Sequence, residues 1–295
     1  MSPFHSGELA VQRRMGQADI AERVGRTVRA DIPDIAADFL ADQPMVVLAA
    51  ADDHGRIWAG QLTGRPGFVR ALDDSTIAVD ARPAPDDPLA AALVRPRRVG
   101  MIALQPHRRR RMRVNGLAVP VESGMRITVD QVYSNCPKYI SRREVRSYTP
   151  DEARPGSARS ASLGTDQLAV LAATDAFFVA TANGAGDVDA SHRGGNPGFL
   201  RALSPSLLRW PDYRGNSMFM TLGNIAVNPR CGLLIPDWSD GGALRLTGRA
   251  ALNWESDTFT PGAQCSIDFT VEEVLDSRGS GPLRWGPPEL SPVNP

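Results

Sequence analysis

The chain repeats itself. WAGQLTGRPGFVRAL (58–72) aligns with DASHRGGNPGFLRAL (189–203), both closing on Gly-Phe-aliphatic-Arg-Ala-Leu, at an offset of 131 residues. Upstream, PMVVLAAADDHGRI (44–57) matches DAFFVATANGAGDV (175–188) at the same offset. Downstream, PRRVGMIAL (96–104) pairs with PRCGLLIP (229–236) and MRVNGLA (112–118) with LRLTGRA (244–250), with Arg98 opposite Arg230 at offset 132. So long a period is not a solenoid unit; it fits a duplicated domain. In 295 residues there is room for two domains of ordinary size. Whatever fold the first half adopts, the second must adopt too.

Each copy reads as β-rich. MVVLAAA, STIAVDA, VGMIALQ and RMRVNGLAV are short, apolar or alternating, and bounded by turn residues; FFVATA, SMFMTL, CGLLIP and ALRLTG are their expected counterparts. Short helices are expected after the capping residues Asp34, Asp87 and Thr165. Close-spaced strands with Gly-rich turns predict a small antiparallel barrel in each half. Residues 1–148 form the first unit, with an N-terminal extension, and 166–280 the second. The Ser-, Pro- and Gly-rich stretch 149–165 reads as a linker. The Pro-rich segment 281–295 excludes helix and central strand, and Trp285 and Leu290 suggest an extended surface tail.

Composition narrows the chemistry. Apolar residues at 42% and balanced charge, 33 basic against 33 acidic, describe a globular chain without a membrane partner. No run approaches the roughly 18 apolar residues of a membrane span, and the N-terminus lacks a signal-peptide core, so the cytoplasm is the default. Cys136, Cys231 and Cys265 are odd in number and widely spaced, and no two histidines fall at i, i+4, so neither disulfides nor a metal site is expected. Lys138 is the only lysine, which restricts Schiff-base chemistry to that residue. No phosphate-loop motif occurs; a bound phosphate would need arginines, backbone N–H groups and hydroxyls. The basic run His107–Arg113 would alternate between strand faces, and with zero net charge it does not indicate nucleic acid.

The order of segments in the second half resembles the pyridoxamine-phosphate-oxidase-like, FMN-binding split-barrel superfamily. The carriers are DASHRGG ending one strand, a Gly-Phe turn, MFMTLGN read as an aromatic-Thr strand, a short helix to an Asn-Pro-Arg turn, then CGLLIPD and LRLTGRA. The likeness covers residues 166–255 well and 40–125 more weakly. FHSGELAVQRRMG (4–16) and VYSNCPKYISRR (132–143) are similar to a bacterial two-barrel branch of it. The resemblance implies two tandem split barrels forming an intrachain pseudo-dimer, either monomeric or a homodimer. It implies an FMN-dependent oxidoreductase acting on a small molecule. Coenzyme F420 is the alternative cofactor, and a non-catalytic flavin- or haem-binding protein, with His5 or His192 as haem ligand, is the rival.

The repeat then assigns the site. Arg193 falls opposite Leu62 and Ser191 opposite Gly60 at offset 131; taking 204–214 as an insertion, Thr221 falls opposite Asp80. Arginine and hydroxyls suit a phosphate and a carboxylate repels it, so the second half would hold FMN and the first would have lost that capacity. By resemblance, backbone groups of Met220, Thr221, Leu222 and Gly223 would meet the isoalloxazine edge. Asn224 would reach ribityl or phosphate oxygens, and His192, Asn216 and Arg245 would complete the rim. Glu8 and Arg13, expected to pair across the barrel interface, and Tyr133 and Lys138 are substrate-side candidates. Arg284 and Trp285 are candidates for a lid. No catalytic acid or base is assigned.

Overall fold

The computed structural model describes residues 2–150, 156–258, 260–279 and 281–295. Strands β1 (Met45–Ala51), β2 (Ile57–Thr63), β3 (Val69–Ala71), β4 (Thr76–Val79), β5 (Arg97–Gln105), β6 (Arg110–Val121) and β7 (Gly124–Ser134) form one antiparallel sheet, ordered β2-β1-β5-β6-β7-β4-β3. After β8 (Val145–Tyr148) and β9 (Ala158–Ser160), the chain builds a second sheet. Its strands are β10 (Ala176–Ala182), β11 (Val188–Gly194), β12 (Arg201–Ser204), β13 (Leu207–Tyr213), β14 (Arg230–Pro236), β15 (Ala243–Asn253) and β16 (Ala263–Asp276). Their order, β11-β10-β14-β15-β16-β13-β12, repeats the first, with β9 added beside β16. These are the two tandem split barrels that the repeat requires. Helices α1 (Ser6–Arg14), α2 (Ala18–Gly25) and α3 (Asp34–Ala41) precede the first barrel, and α4 (Pro88–Ala92) interrupts it. In the second, α5 (Thr165–Ala173) and α6 (Met220–Val227) take the places of α3 and α4.

Register shows the duplication residue by residue. Leu48 pairs with Gly60 as Val179 pairs with Ser191, and Arg98 pairs with Leu117 as Arg230 pairs with Arg249. Strand β1 is apolar throughout, and β10 is apolar but for Thr181, because both faces of each strand are buried. Val46, Leu48 and Ala50 point into the first barrel, and Phe177 and Val179 into the second. Met45, Val47, Ala49, Phe178 and Ala180 meet in a third cluster between the barrels. Two glycines bring the barrels into contact. A Cβ on Gly100 would lie 2.6 Å from Asp189 Cα, and one on Gly232 would lie 2.5 Å from the Ile57 carbonyl oxygen. They stand 132 residues apart and mark an approximate two-fold axis.

Three expectations change. The run SMFMTL is not a strand: Phe219 adopts a left-handed conformation (φ 58°), and α6 begins at Met220. Short apolar runs look alike as strand and buried helix, and here the helix wins. Residues 204–214 are not an insertion but largely β13, paired with β16 as β4 is with β7, so Trp210 takes the place of Val79. The extra length lies between β15 and β16, residues 254–262, where the first barrel turns through 122–123. Thr221 therefore corresponds to Leu89 of α4, not to Asp80, which instead pairs with Arg70 and Arg126. The third concerns the tail. Residues Leu283–Trp285 form β17, paired with β8, and Trp285 is buried edge-on against Trp238 with ring centroids 5.7 Å apart. Of the expected linker, 151–155 lie outside the described residues.

Candidate functional site at the barrel interface

The N-terminal helix is seated on the second barrel's helix. His5 caps α1, its Nδ1 accepting from Gly7 N at 3.1 Å while Glu8 Oε2 accepts from His5 N at 2.8 Å, a reciprocal capping box. Gly7 lies against the Gly223 carbonyl, and a Cβ on Gly223 would lie 2.6 Å from Glu8 Cα. His5 Nε2 bonds Asn224 Oδ1 at 2.9 Å, and Asn224 Nδ2 donates to Thr181 Oγ1 at 3.0 Å. Glu8 is thereby buried, 4% exposed. Burial pushes its carboxyl up to about 8, opposed by the His5 N–H and reinforced by Asp189.

Beside Glu8, a cleft of about 450 Å³ opens between the barrels, with His5, Asn115, Asp189, Met220 and Asn224 in its wall. Asp189 of β11 is the hub. It accepts from Arg113 Nη1 at 2.9 Å, Tyr133 Oη at 3.1 Å and Ser191 Oγ at 3.2 Å. Tyr133 Oη also lies 2.7 Å from Met220 Sδ. Burial first, and Asp189 second, push the Tyr133 phenol far above its ordinary range, so it serves as a neutral hydrogen-bonding group.

Behind the hub, a small cavity of about 50 Å³ lies at the start of α6, lined by Arg113, Arg193, Asn216, Ser217 and Phe219–Leu222. Ser191 Oγ and Thr221 Oγ1, both buried, bond each other at 2.6 Å. Arg193 reaches Asp212 only at 3.5 Å, and the Nε atoms of Arg193 and Arg113 are buried without partners. The first turn of α6 has no side-chain cap, because Phe219 holds the N-cap position.

The pseudo-equivalent site, beside a cavity of about 150 Å³, carries a carboxylate at its helix start. In the first barrel Asp87 caps α4, accepting from Leu89 N at 2.9 Å, and lies 3.1 Å from Arg245 Nε. Arg245 stands 132 residues after Arg113, as Phe219 stands 132 after Asp87. One interface site thus carries its own carboxylate between the opposing barrel's arginine and the helix start. The other has Phe219 at the corresponding position, packed against the second barrel's core.

The structure gathers Ser191, Arg193, Asn216, Met220 and Thr221 around the small cavity, and Glu8, Tyr133, Met220 and Asn224 around the hub and cleft. Leu222 points into the second barrel's core, and Gly223 is covered by Glu8. His192 is buried and neutral. Its Nδ1 lies 3.0 Å from Arg111 Nη1, its ring packs on Phe178, and burial, then Arg111, holds it well below the ordinary histidine range. Arg245 belongs to the other site, because strands β6 and β15 each reach across to the opposite barrel; Arg113 fills the place expected of it. Arg13 lies on the exposed face of α1, away from Glu8, and the expected pair does not form. Lys138 is exposed. Arg284 and Trp285 are no lid on this cleft: Trp285 packs on Trp238, and Arg284 Nη1 donates to the Gly281 carbonyl. Arg113, Asp189 and Asp87 were missed as site residues, although the 132-residue offset from Arg245 marks Arg113.

No family model matches the sequence, and no curated protein matches it significantly. Solved structures similar to this chain include a protein of Lactobacillus delbrueckii provisionally named a pyridoxamine 5'-phosphate oxidase: 19% identity, 41% of this chain, 98% of that one, TM-score 0.33. An FAD-binding protein of Mesorhizobium loti is 15% identical over 40% of this chain and 96% of its own, with TM-score 0.28. HutZ, the haem storage protein of Vibrio cholerae, is 12% identical over 41% and 97%, with TM-score 0.30.

Proposed function

We propose that the chain binds one FMN at the second-barrel site and works as a flavin-dependent oxidoreductase on a small molecule. The observation that carries this reading is the contrast between Asp87 and Phe219. At the first-barrel site an internal carboxylate caps the helix start and lies 3.1 Å from the arginine that reaches across the interface. At the second, Phe219 supplies no carboxylate to the helix start, Arg113 pairs with Asp189 of β11, and Arg193, where the first barrel has Leu62, reaches Asp212 only at 3.5 Å. The uncapped start of α6, with Arg113 and Arg193 beside it, fits a phosphate. The two histidines suggested for haem are both engaged, His5 with Asn224 and His192 with Arg111, which favours flavin over haem.

In this reading Arg193, Arg113 and the first N–H groups of α6 hold the phosphate, and the Ser191 and Thr221 hydroxyls turn from each other toward it. Bound there, FMN supplies hydride chemistry. The start of α1 forms part of the cleft wall, and Glu8 holds a proton at its carboxyl up to about pH 8.

Titration of the chain with FMN tests the assignment. The expected stoichiometry is one flavin per chain. Arg193→Ala removes a charge-assisted bond and weakens FMN about ten- to two-hundredfold. Phe219→Asp, which copies Asp87, abolishes binding, and Leu62→Ala leaves affinity within a few fold. Two flavins per chain, or an Arg193→Ala variant as tight as the parent, would overturn the placement.

A further inference from the structure

The segment before α6 is held from outside its own barrel. Ser217 (φ 65°) and Phe219 (φ 58°) both adopt left-handed backbone, and both line the small cavity at the start of α6. Residues with a Cβ keep that conformation only where their neighbours impose it. The first barrel has no counterpart: 132 residues earlier stand Pro85, whose ring fixes a negative φ, and Asp87 at φ −74°.

The N-terminal helices supply those neighbours. Gln12 of α1, 1% exposed, donates from Nε2 to the Met218 carbonyl at 3.0 Å. Gln17, at the start of α2, accepts from Ser217 Oγ at 2.6 Å. The Met218 side chain is buried in a cluster with Phe4, just before α1, and Ala21 of α2. This arm is also fastened where β15 and β16 are joined by their longer connection. Arg14 lies over the Trp254 ring, 4.2 Å from its centroid, and Gln17 Nε2 donates to Gln264 Oε1 at 2.6 Å. Neither glutamine lines the cavity itself. The left-handed pair and the long connection, two features that set the second barrel apart from the first, thus meet the same arm.

We propose that α1 and α2 form a clamp on this cavity, with Gln12 and Gln17 as positioning residues. Seating the arm sets the shape that Ser217–Phe219 present to a phosphate, and a phosphate bound there holds the arm seated. The proposal rests on the phosphate site read above and adds that residues out of reach of the ligand set part of its affinity. Linkage makes the two effects reciprocal. Tryptic cleavage of the full chain at the exposed Arg13 and Arg14 reads how often the arm opens. Saturating FMN slows that cleavage at least about fivefold, and riboflavin, which lacks the phosphate, slows it less than about twofold. Gln12→Met keeps the length of the side chain and removes its donor; it speeds cleavage and weakens FMN at least about fivefold. Gln17→Ala, at a half-buried position, acts in the same direction and keeps the test open if the Gln12 variant fails to fold. FMN that binds the parent without slowing cleavage, riboflavin that slows it as much as FMN, or glutamine variants that bind FMN as tightly as the parent would overturn the clamp and leave the phosphate site standing. FMN that does not bind the parent overturns the phosphate site, and the clamp with it.

Discussion

Glu8 shows how one residue can report on the whole site. Its carboxyl keeps a proton up to about pH 8 in the folded chain, against an ordinary value of 4.5. The folded state therefore binds a proton that the unfolded state has released, and stability falls as pH rises from 4.5 to 8, then levels off. From this group alone the loss is roughly 3–5 kcal/mol. Glu8→Gln carries no titrating proton, so thermal unfolding followed from pH 5 to 9 should lose that part of its slope and leave the variant more stable than the parent at pH 9. An identical pH profile in the two proteins would mean that Glu8 is solvated. At this scale the sequence was partly legible. The motif around His5 and Glu8 stands out, and Arg193 against Leu62 is readable from the offset. Asp189 was not, because an aspartate opening a strand gives no sign that three donors from two barrels will converge on it.

Between α1 and α6 the contact is made by two glycines, and its tightness can be tested against intrinsic propensity. Alanine is favoured over glycine in a helix by about 1 kcal/mol. At Gly223, however, the added methyl would meet Glu8 backbone, which cannot swing aside. Overpacking of about 1–3 kcal/mol should prevail. Gly223→Ala should loosen α1 and speed tryptic cleavage at Arg13 and Arg14; cleavage at the parental rate would mean that α1 is not held by this contact. The helix α6 itself was misread as strand. Its apolar run is too short to reveal its period, and the break at Phe219 comes from a left-handed backbone that no glycine announces. The tail was misread in the opposite sense: Trp285 marks a short strand tied to β8 rather than a closing flap.

Across the whole molecule, the repeat made the architecture readable, since two copies of one strand pattern leave little choice but two similar barrels. Their mutual packing was not readable, because it depends on which faces of β1 and β10 meet. The glycine pair at that contact gives a direct check. Gly100→Ala and Gly232→Ala each push a methyl into opposing backbone, and each should lower the melting temperature by a similar amount, for about 1–3 kcal/mol of overpacking. If only one of them destabilises the chain, the pseudo-symmetric contact is wrong. Joining the two barrels in one polypeptide has a consequence for what can change. In a symmetric pair of identical chains, any substitution is made at both interface sites at once, so a residue that closes one closes the other. Within a single chain the two positions are separate codons. Asp87 can place a carboxylate at one helix start while Phe219 leaves the other without one, and the halves can divide duties that identical subunits must share.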